Sequence, residues 1–414
     1  MAVDLDELFH LSRSFLATKN ASYQRDWLQE VLLKKNHRLS ILRGPRGVGK
    51  TTLIVQWLLV KGDQDLLSKV ILYIPADHFL LSNYSLYEIA EQFNLVGGKY
   101  LAIDEIHKYN EWSKELKSIY DTFPELTVVV SGSSAMEVHK GSHDLTRRAV
   151  VYNINIFSFR EYLSLILQYS LPKYSLETIL KTHEKIASET VLKILANKDL
   201  KIIFEFNQYL QTGNLPYFIE HDQESYYMTL RESMQAVIEY DLPAIYPLLT
   251  GSSIRKIKKL LGFIANSVPF TANFKNLKTL VEVGDERTLK NYFKYLEDAG
   301  LIKILMRASK NLKKLEILEK IYLSNPNQLY AVSDKPNLGT VRELFFLSML
   351  TVDHEVSCSQ EGDFMVNNKY TFEIGGDGKG FLQIKNKAYS YLACDNMELG
   401  INNKIPLWLF GFLY

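Results

Sequence analysis

Gly44-Pro-Arg-Gly-Val-Gly-Lys50-Thr51 matches the pattern G-x-x-x-x-G-K-[ST] at every fixed position. An apolar run, Leu39–Leu42, leads into it, and a helix-like stretch, Thr52–Leu59, leads out. In that context the loop is a phosphate cradle. Gly44, Gly47 and Gly49 let the backbone wrap closely around an anion, in conformations that a Cβ would hinder. The backbone from Gly44 through Pro45, Arg46, Gly47, Val48 and Gly49, with Thr52 just inside the helix, turns N–H groups and a helix N-terminus toward the phosphates. Lys50 adds a mobile positive charge at the β- and γ-phosphates, and the Thr51 hydroxyl reaches magnesium. The expected ligands are therefore ATP and Mg2+.

A phosphate loop of this kind needs a second carboxylate on the magnesium side, at the end of a neighbouring strand. Tyr100-Leu-Ala-Ile-Asp104-Glu105 supplies one: four strand residues and then two acids. Asp104 is expected to hold the metal with Thr51, and Glu105 to polarise an attacking water. Thr127-Val-Val-Val-Ser131-Gly-Ser133-Ser134 is another apolar strand that ends in small hydroxyl residues. Ser131 is expected either between the acids and the γ-phosphate or in a solvated turn. Arg147-Arg148 come shortly after, and an arginine there would stabilise transition-state charge within the chain or on a neighbouring copy, or else be a surface pair.

Further out, strand-like runs at His37–Leu42, Val70–Ile74, Tyr100–Ile103, Thr127–Val130 and Ala149–Ile154 alternate with amphipathic stretches at Lys50–Leu59, Leu86–Phe93 and Trp112–Phe123. Such alternation predicts an α/β fold with a parallel sheet and ligand sites at the carboxyl ends of its strands. Beyond Ser158 the pattern turns mainly helical, with periodic segments at Phe159–Leu167, Glu184–Leu195 and Tyr226–Tyr240.

The 414 residues carry a formal net charge of +1, which gives the whole molecule no strong pull on polyanions. The stretch 251–314 alone holds 14 Lys/Arg against 5 Asp/Glu, a local +9. Within it, Ser252–Arg307 predicts a winged helix. Ile254, Ile257, Leu260, Leu261 and Ile264 share one face of a first helix; Asn273–Val283 forms a second, ended by Gly284. A third is capped by Asp285 and stopped by Gly300, and Leu301–Leu305 reads as a wing strand. On the third helix Leu289, Phe293 and Leu296 would be buried, with Arg287, Lys290, Asn291 and Lys294 outward as a groove-reading helix requires. The functional expectation is duplex DNA contacted through Arg287, Lys290 and Lys294; the alternative is a module that clamps the ATPase core and transmits its state, its charge a solvated face, in a protein whose partner is an unknown protein.

Two cysteines without metal-type spacing argue against a disulfide framework and for a reducing compartment. No apolar run reaches the ~18 residues of a membrane span. The N-terminus lacks a signal-peptide pattern, so a cytoplasmic protein without membrane contact is expected.

The loop with Arg46 inside it, Asp104-Glu105-Ile-His107, Ser131-Gly-Ser-Ser134 and Ser158-Phe-Arg160-Glu161 together resemble the AAA-like ATPases of bacteria and archaea that carry a C-terminal endonuclease-like domain. Gly213-Asn-Leu-Pro216 and Val341-Arg-Glu343 extend the resemblance over nearly the whole chain. It implies a P-loop ATPase core with an N-terminal helical extension over 1–157, a helical lid over 158–251, a winged helix over 252–324 and an α+β, restriction-endonuclease-like domain over 325–414. It further implies an acidic site at Glu343, Asp363 and Glu373 in the last of these. Gly375 stands where that fold's lysine belongs, so the nuclease chemistry is expected to be lost, unless Lys379 or Lys385 substitutes. The readings that follow are an ATP-driven, DNA-associated machine, a nucleotide-gated protein adaptor, and an ATP-fuelled nuclease. An oligomer is compatible with each.

Overall fold

The computed structural model describes residues 3–35, 37–133, 145–198, 200–266, 274–306, 318–333, 335–380, 384 and 387–414. Contacts divide the chain into two compact units: residues 1–155 with 240–248, and residues 156–239 with 249–414.

The first unit is built on five strands, β1 (Leu39–Gly44), β2 (Ile71–Pro75), β3 (Tyr100–Asp104), β4 (Thr127–Ser133) and β5 (Val150–Asn153). They lie in the order β2-β3-β4-β1-β5, and every pairing is parallel. All of these strands fall within two or three residues of where hydrophobic alternation predicts them. Parallel pairing demands crossovers, and helices α2 (Lys50–Lys61), α3 (Leu86–Leu95) and α4 (Trp112–Thr122) supply three of them. An N-terminal helix, α1 (Leu5–Thr18), is capped by Asp4, whose carboxylate accepts from the Glu7 N–H at 3.0 Å. It is tied to β2 by the Ser12 hydroxyl, which accepts from the Tyr73 N–H at 3.0 Å. Ile41, Ile74, Leu101, Ile103 and Val130 fill the sheet's interior and are essentially inaccessible to water. Because β4 lies between β1 and β3, the phosphate loop and the acid-bearing strand are not neighbours. The carboxyl end of β4 stands between them.

The segment Tyr240–Leu248, which the sequence reading places in the 158–251 region, packs with this first unit. It contains Asp241, the last residue of a π-helical turn, and the short helix Leu242–Ile245.

The second unit opens with helices Phe159–Leu167, Leu176–Lys198, Ile202–Thr212 and Gln223–Ala236. Three more follow, Gly251–Asn266, Phe274–Val281 and Glu286–Asp298, and then an antiparallel pair, β6 (Ile302–Met306) and β7 (Leu318–Leu323). A mixed five-stranded sheet ends the chain, formed by β8 (Val356–Cys358), β9 (Phe364–Val366), β10 (Tyr370–Gly375), β11 (Ser390–Cys394) and β12 (Lys404–Pro406). Its order is β12-β11-β10-β9-β8, with β10, β11 and β12 parallel and β8 and β9 antiparallel. The sequence reading anticipates β9 and β10 but neither β8 nor β11 nor β12; the strand-like run Gly380–Ile384 falls largely outside the described residues. The apolar terminus Leu407–Phe412 is buried, as its composition predicts.

Candidate functional site

At the carboxyl end of β1 the chain turns through Pro45–Gly49 and enters α2 at Lys50. Gly47 and Gly49 adopt φ of +81° and +88°, where an L side chain is strained. Gly44 is required for a different reason: a Cβ there would lie 2.3 Å from the Ile154 carbonyl oxygen, just past β5. The first glycine of the motif thus serves packing of the loop's base rather than approach to an anion. Val48 is fully buried, and its carbonyl accepts from the Arg25 guanidinium at 3.2 Å, which also donates to the Asn155 carbonyl at 3.0 Å. Lys50 is buried, and its ammonium donates to the Gly44 and Pro45 carbonyls at 2.8 and 3.0 Å. Burial pushes this ammonium below its ordinary pKa, partly offset by the charges of Glu105 and Asp104.

The acids arrive from β3. Asp104 Oδ2 accepts from the Thr51 hydroxyl at 2.6 Å and from the Tyr73 hydroxyl at 2.8 Å. Its Oδ1 accepts from the Ser131 hydroxyl and from the Glu105 N–H at 3.2 Å. The Ser131 oxygen accepts in turn from the Glu105 N–H at 3.1 Å. Ser131 is therefore buried against the two acids and not in a solvated turn. Tyr73 is buried beside Asp104, and that burial together with the carboxylate's charge raises its phenol well above the usual range, so it stays a donor.

A hydroxyl and a carboxylate meeting at 2.6 Å form a hard-oxygen pair of the kind magnesium prefers, and Thr51 directly follows Lys50. Thr51 and Asp104 accordingly fit a magnesium ion carried in with a nucleotide. Glu105 follows at φ +54°, in the left-handed region, at the turn out of β3. Its carboxylate lies 3.7 Å from His107 Nε2 and 3.9 Å from Lys108 Nζ.

Sequence reading assigns no role to Tyr73, Arg25, His107 or Asp241. Asp241 is the most distant of them in sequence. Its carboxylate takes a bidentate grip from Arg46, with Nε to Oδ2 at 3.0 Å and the terminal nitrogen to Oδ1 at 2.5 Å. Burial would raise the Asp241 carboxyl, yet the His107 imidazole and the Arg46 guanidinium beside it hold it well below the usual carboxylate range. The one sequence signal was a charged residue, Arg46, inside a loop that needs no charge there.

Arg147 and Arg148 are placed elsewhere. They precede β5, at the amino edge of a parallel sheet whose carboxyl edge carries the phosphate loop. Arg148 pairs with Asp121 of α4 at 2.7 and 2.9 Å, and Arg147 is exposed. The structure does not bring either arginine to this chain's own loop. Ser134 lies outside the described residues.

In the second unit, Asp285 caps the helix Glu286–Asp298 by accepting from the Thr288 N–H at 2.8 Å. Leu289, Phe293 and Leu296 are buried on it, joined by Tyr292, while Arg287, Lys290, Asn291 and Lys294 are exposed. In the terminal sheet, Asp363 accepts from the Ile374 N–H at 2.8 Å, and Glu373 on β10 is gripped by Lys379 at 2.7 Å. The Lys379 chain lies across Gly375, where a Cβ would meet it at 2.6 Å. Glu343 accepts from the Tyr322 hydroxyl. Burial raises the carboxyls of both Glu373 and Glu343. Lys385 lies outside the described residues. Among the described residues no three His, Cys, Asp or Glu side chains come together as a metal site.

The fold and this site define an AAA-like P-loop ATPase domain: a parallel sheet of order β2-β3-β4-β1-β5, with the acid strand one place removed from the loop strand. Residues 36–163 match the family described as "AAA domain", and residues 203–338 match a domain of unknown function, DUF8612. Among solved structures, ORC1 of Aeropyrum pernix, in complex with DNA, is 11% identical over 78% of this chain and 97% of its own, with a TM-score of 0.34. AMPPCP-bound DnaA of Aquifex aeolicus is 13% identical over 66% and 85%, with a TM-score of 0.26. Hsp104 of S. cerevisiae, in its ADP complex, is 14% identical over 72% and 39%, also at 0.26. Likenesses this distant carry nothing about the task of this chain. No curated protein matches it.

Proposed function

We propose that this protein binds ATP with magnesium and hydrolyses it, and that the cycle drives a DNA-associated machine in a reducing, cytoplasmic compartment. The observation that carries the reading is the joining of Thr51, Asp104, Ser131 and Glu105 in one hydrogen-bonded group beside Lys50. Lys50 and the loop N–H groups bind the phosphates. Thr51 and Asp104 hold the ion, whose contribution when bound is to neutralise charge on the phosphoryl oxygens. Glu105, half-exposed and with its backbone fixed by Ser131, orients and deprotonates the attacking water. Ser131 reports the γ-phosphate to the acids. Exposed Arg147 is suited to the site of a neighbouring copy, which makes a homo-oligomer part of the proposal.

Residues 252–324 are read as a winged helix that meets duplex DNA, supported by the exposed row Arg287, Lys290 and Lys294 on a helix whose opposite face is buried. Residues 158–251 are read as a lid region and 1–157 as the ATPase core. The cytoplasmic reading is supported by the use of only two cysteines, both of them buried.

The deciding experiment is ATP turnover by the wild type and by Glu105→Gln, with and without duplex DNA. Turnover that DNA accelerates and Glu105→Gln abolishes supports the reading; no turnover in any condition rejects it. Turnover indifferent to DNA favours a nucleotide-gated adaptor for a protein partner. A second reading, nuclease activity of residues 325–414, is favoured by one observation: Lys379 takes up the space over Gly375 and grips Glu373. Magnesium-dependent cleavage lost in both Asp363→Ala and Lys379→Ala would support it; absence of cleavage leaves a scaffold.

A further inference from the structure

His107 and Asp241 are both 98% buried, and neither belongs to the phosphate-binding set. His107 Nδ1 accepts from the Ser133 N–H at 3.3 Å, which leaves the ring proton on Nε2. That nitrogen makes no hydrogen bond among the described residues. It lies 3.7 Å from Glu105 Oε2 and 3.8 Å from Asp241 Oδ1, so a buried donor stands between two carboxylates at slightly more than bonding distance from each. Asp241 is fixed on its other side by Arg46 of the phosphate loop, through two bonds. The chain of groups therefore begins in the loop that would hold the nucleotide, at Arg46. It passes to Asp241, which meets Glu105 across the one Nε2–H of His107. A buried polar atom left without a bond is costly, and it persists where it serves a second arrangement. A small approach of the Glu105 carboxylate would satisfy it.

We propose that His107 and Asp241 are positioning residues for Glu105. Asp241, anchored by Arg46, and Glu105 share the single Nε2–H of His107, and that N–H, with the ring fixed at Nδ1 by the Ser133 N–H, holds the Glu105 carboxylate where it meets the attacking water. The inference rests on the ATP-hydrolase reading above and adds its regulation. Asp241 is delivered by residues 240–248, which continue at both ends into the chain of the second unit. Withdrawal of that short segment would stop hydrolysis while leaving nucleotide in the loop.

The test measures kcat, KM and the Kd of a fluorescent ATP analogue with magnesium, for wild type, Asp241→Asn, His107→Ala, His107→Gln and the Asp241→Asn/His107→Ala double variant. Loss of about ten- to a hundredfold in kcat is expected for Asp241→Asn and His107→Ala. Kd should be unchanged or tighter for Asp241→Asn, because Arg46 is released to the nucleotide's charge. His107→Gln keeps a donor near the same place and should recover most of kcat. The double variant should be no worse than the worse single one, as expected of groups acting in one relay. Wild-type kcat in both single variants overturns the inference alone. Loss of affinity in step with kcat also overturns it, since that is the signature of a merely structural contact. If Asp241→Asn does not fold, Asp241→Glu carries the same comparison. A wild type without turnover overturns the hydrolase reading itself, and the inference with it.

Discussion

Asp104 receives donors from Thr51, Tyr73, Ser131 and the Glu105 backbone, so a single carboxylate gathers β2, β3, β4 and the start of α2. The first two predictions follow at this scale. Glu105→Gln should retain nucleotide binding and lose turnover by about a hundredfold or more, since the amide cannot take a proton from water. Phosphate release and a nucleotide titration measured on the same sample check it. Tyr73→Phe keeps the buried ring and deletes one hydrogen bond to a charged group. It should cost about 1.5–3 kcal/mol of stability, read from the denaturant midpoint, with the fold intact. The grouping of Lys50, Thr51, Asp104 and Glu105 was legible in the sequence because each motif places its pair just at or beyond the carboxyl end of one strand. Tyr73 and Asp241 were not. A tyrosine inside an apolar strand looks like core, and an aspartate 195 positions beyond its arginine looks like surface. Only the folded chain brings them to the loop.

Individual elements repeat the contrast. The strands of the first sheet and the helix Phe159–Leu167 were foreseeable because hydrophobic period, caps and turns agree there. The Ser158–Glu161 capping box, with the Glu161 N–H donating to the Ser158 hydroxyl at 3.2 Å, is written in the sequence itself. β8 and β12 are three residues each, so little period registers, and the equally short β9 was read only beside the longer β10. Between helices, Tyr162 of Phe159–Leu167 donates to Glu205 of Ile202–Thr212 at 3.1 Å. Burial raises the Glu205 carboxyl above its ordinary range, with the Tyr162 bond partly opposing this. The folded state then binds more protons than the unfolded one between the ordinary value of about 4.3 and the raised folded value, so stability is fully present below that window and falls as pH rises through it. Glu205→Gln keeps an acceptor for Tyr162 without the charge. It should raise the melting temperature at pH 7 by a few degrees and leave it nearly unchanged at about pH 4. Thermal melts at the two pH values decide this.

The whole molecule joins a nearly neutral chain to one basic module, so any attraction to nucleic acid must come from that module. Neutralising Arg287, Lys290 and Lys294 together should weaken duplex binding across sequences and reduce the slope of log affinity against log salt by about 3, measured by fluorescence anisotropy. An unchanged slope would point to a protein partner instead. The segment 240–248 has a bearing on the birth of the protein as well. A ribosome makes the phosphate loop and Glu105 early, then all of residues 156–239, and only then the aspartate that grips Arg46. At ordinary elongation rates that interval is on the order of ten seconds. On the proposed reading, the nascent chain throughout it holds the phosphate loop and Glu105 but not the aspartate that helps set Glu105 to work. On that reading, vectorial synthesis keeps the half-made chain from turning over nucleotide until residues 156–239 are complete.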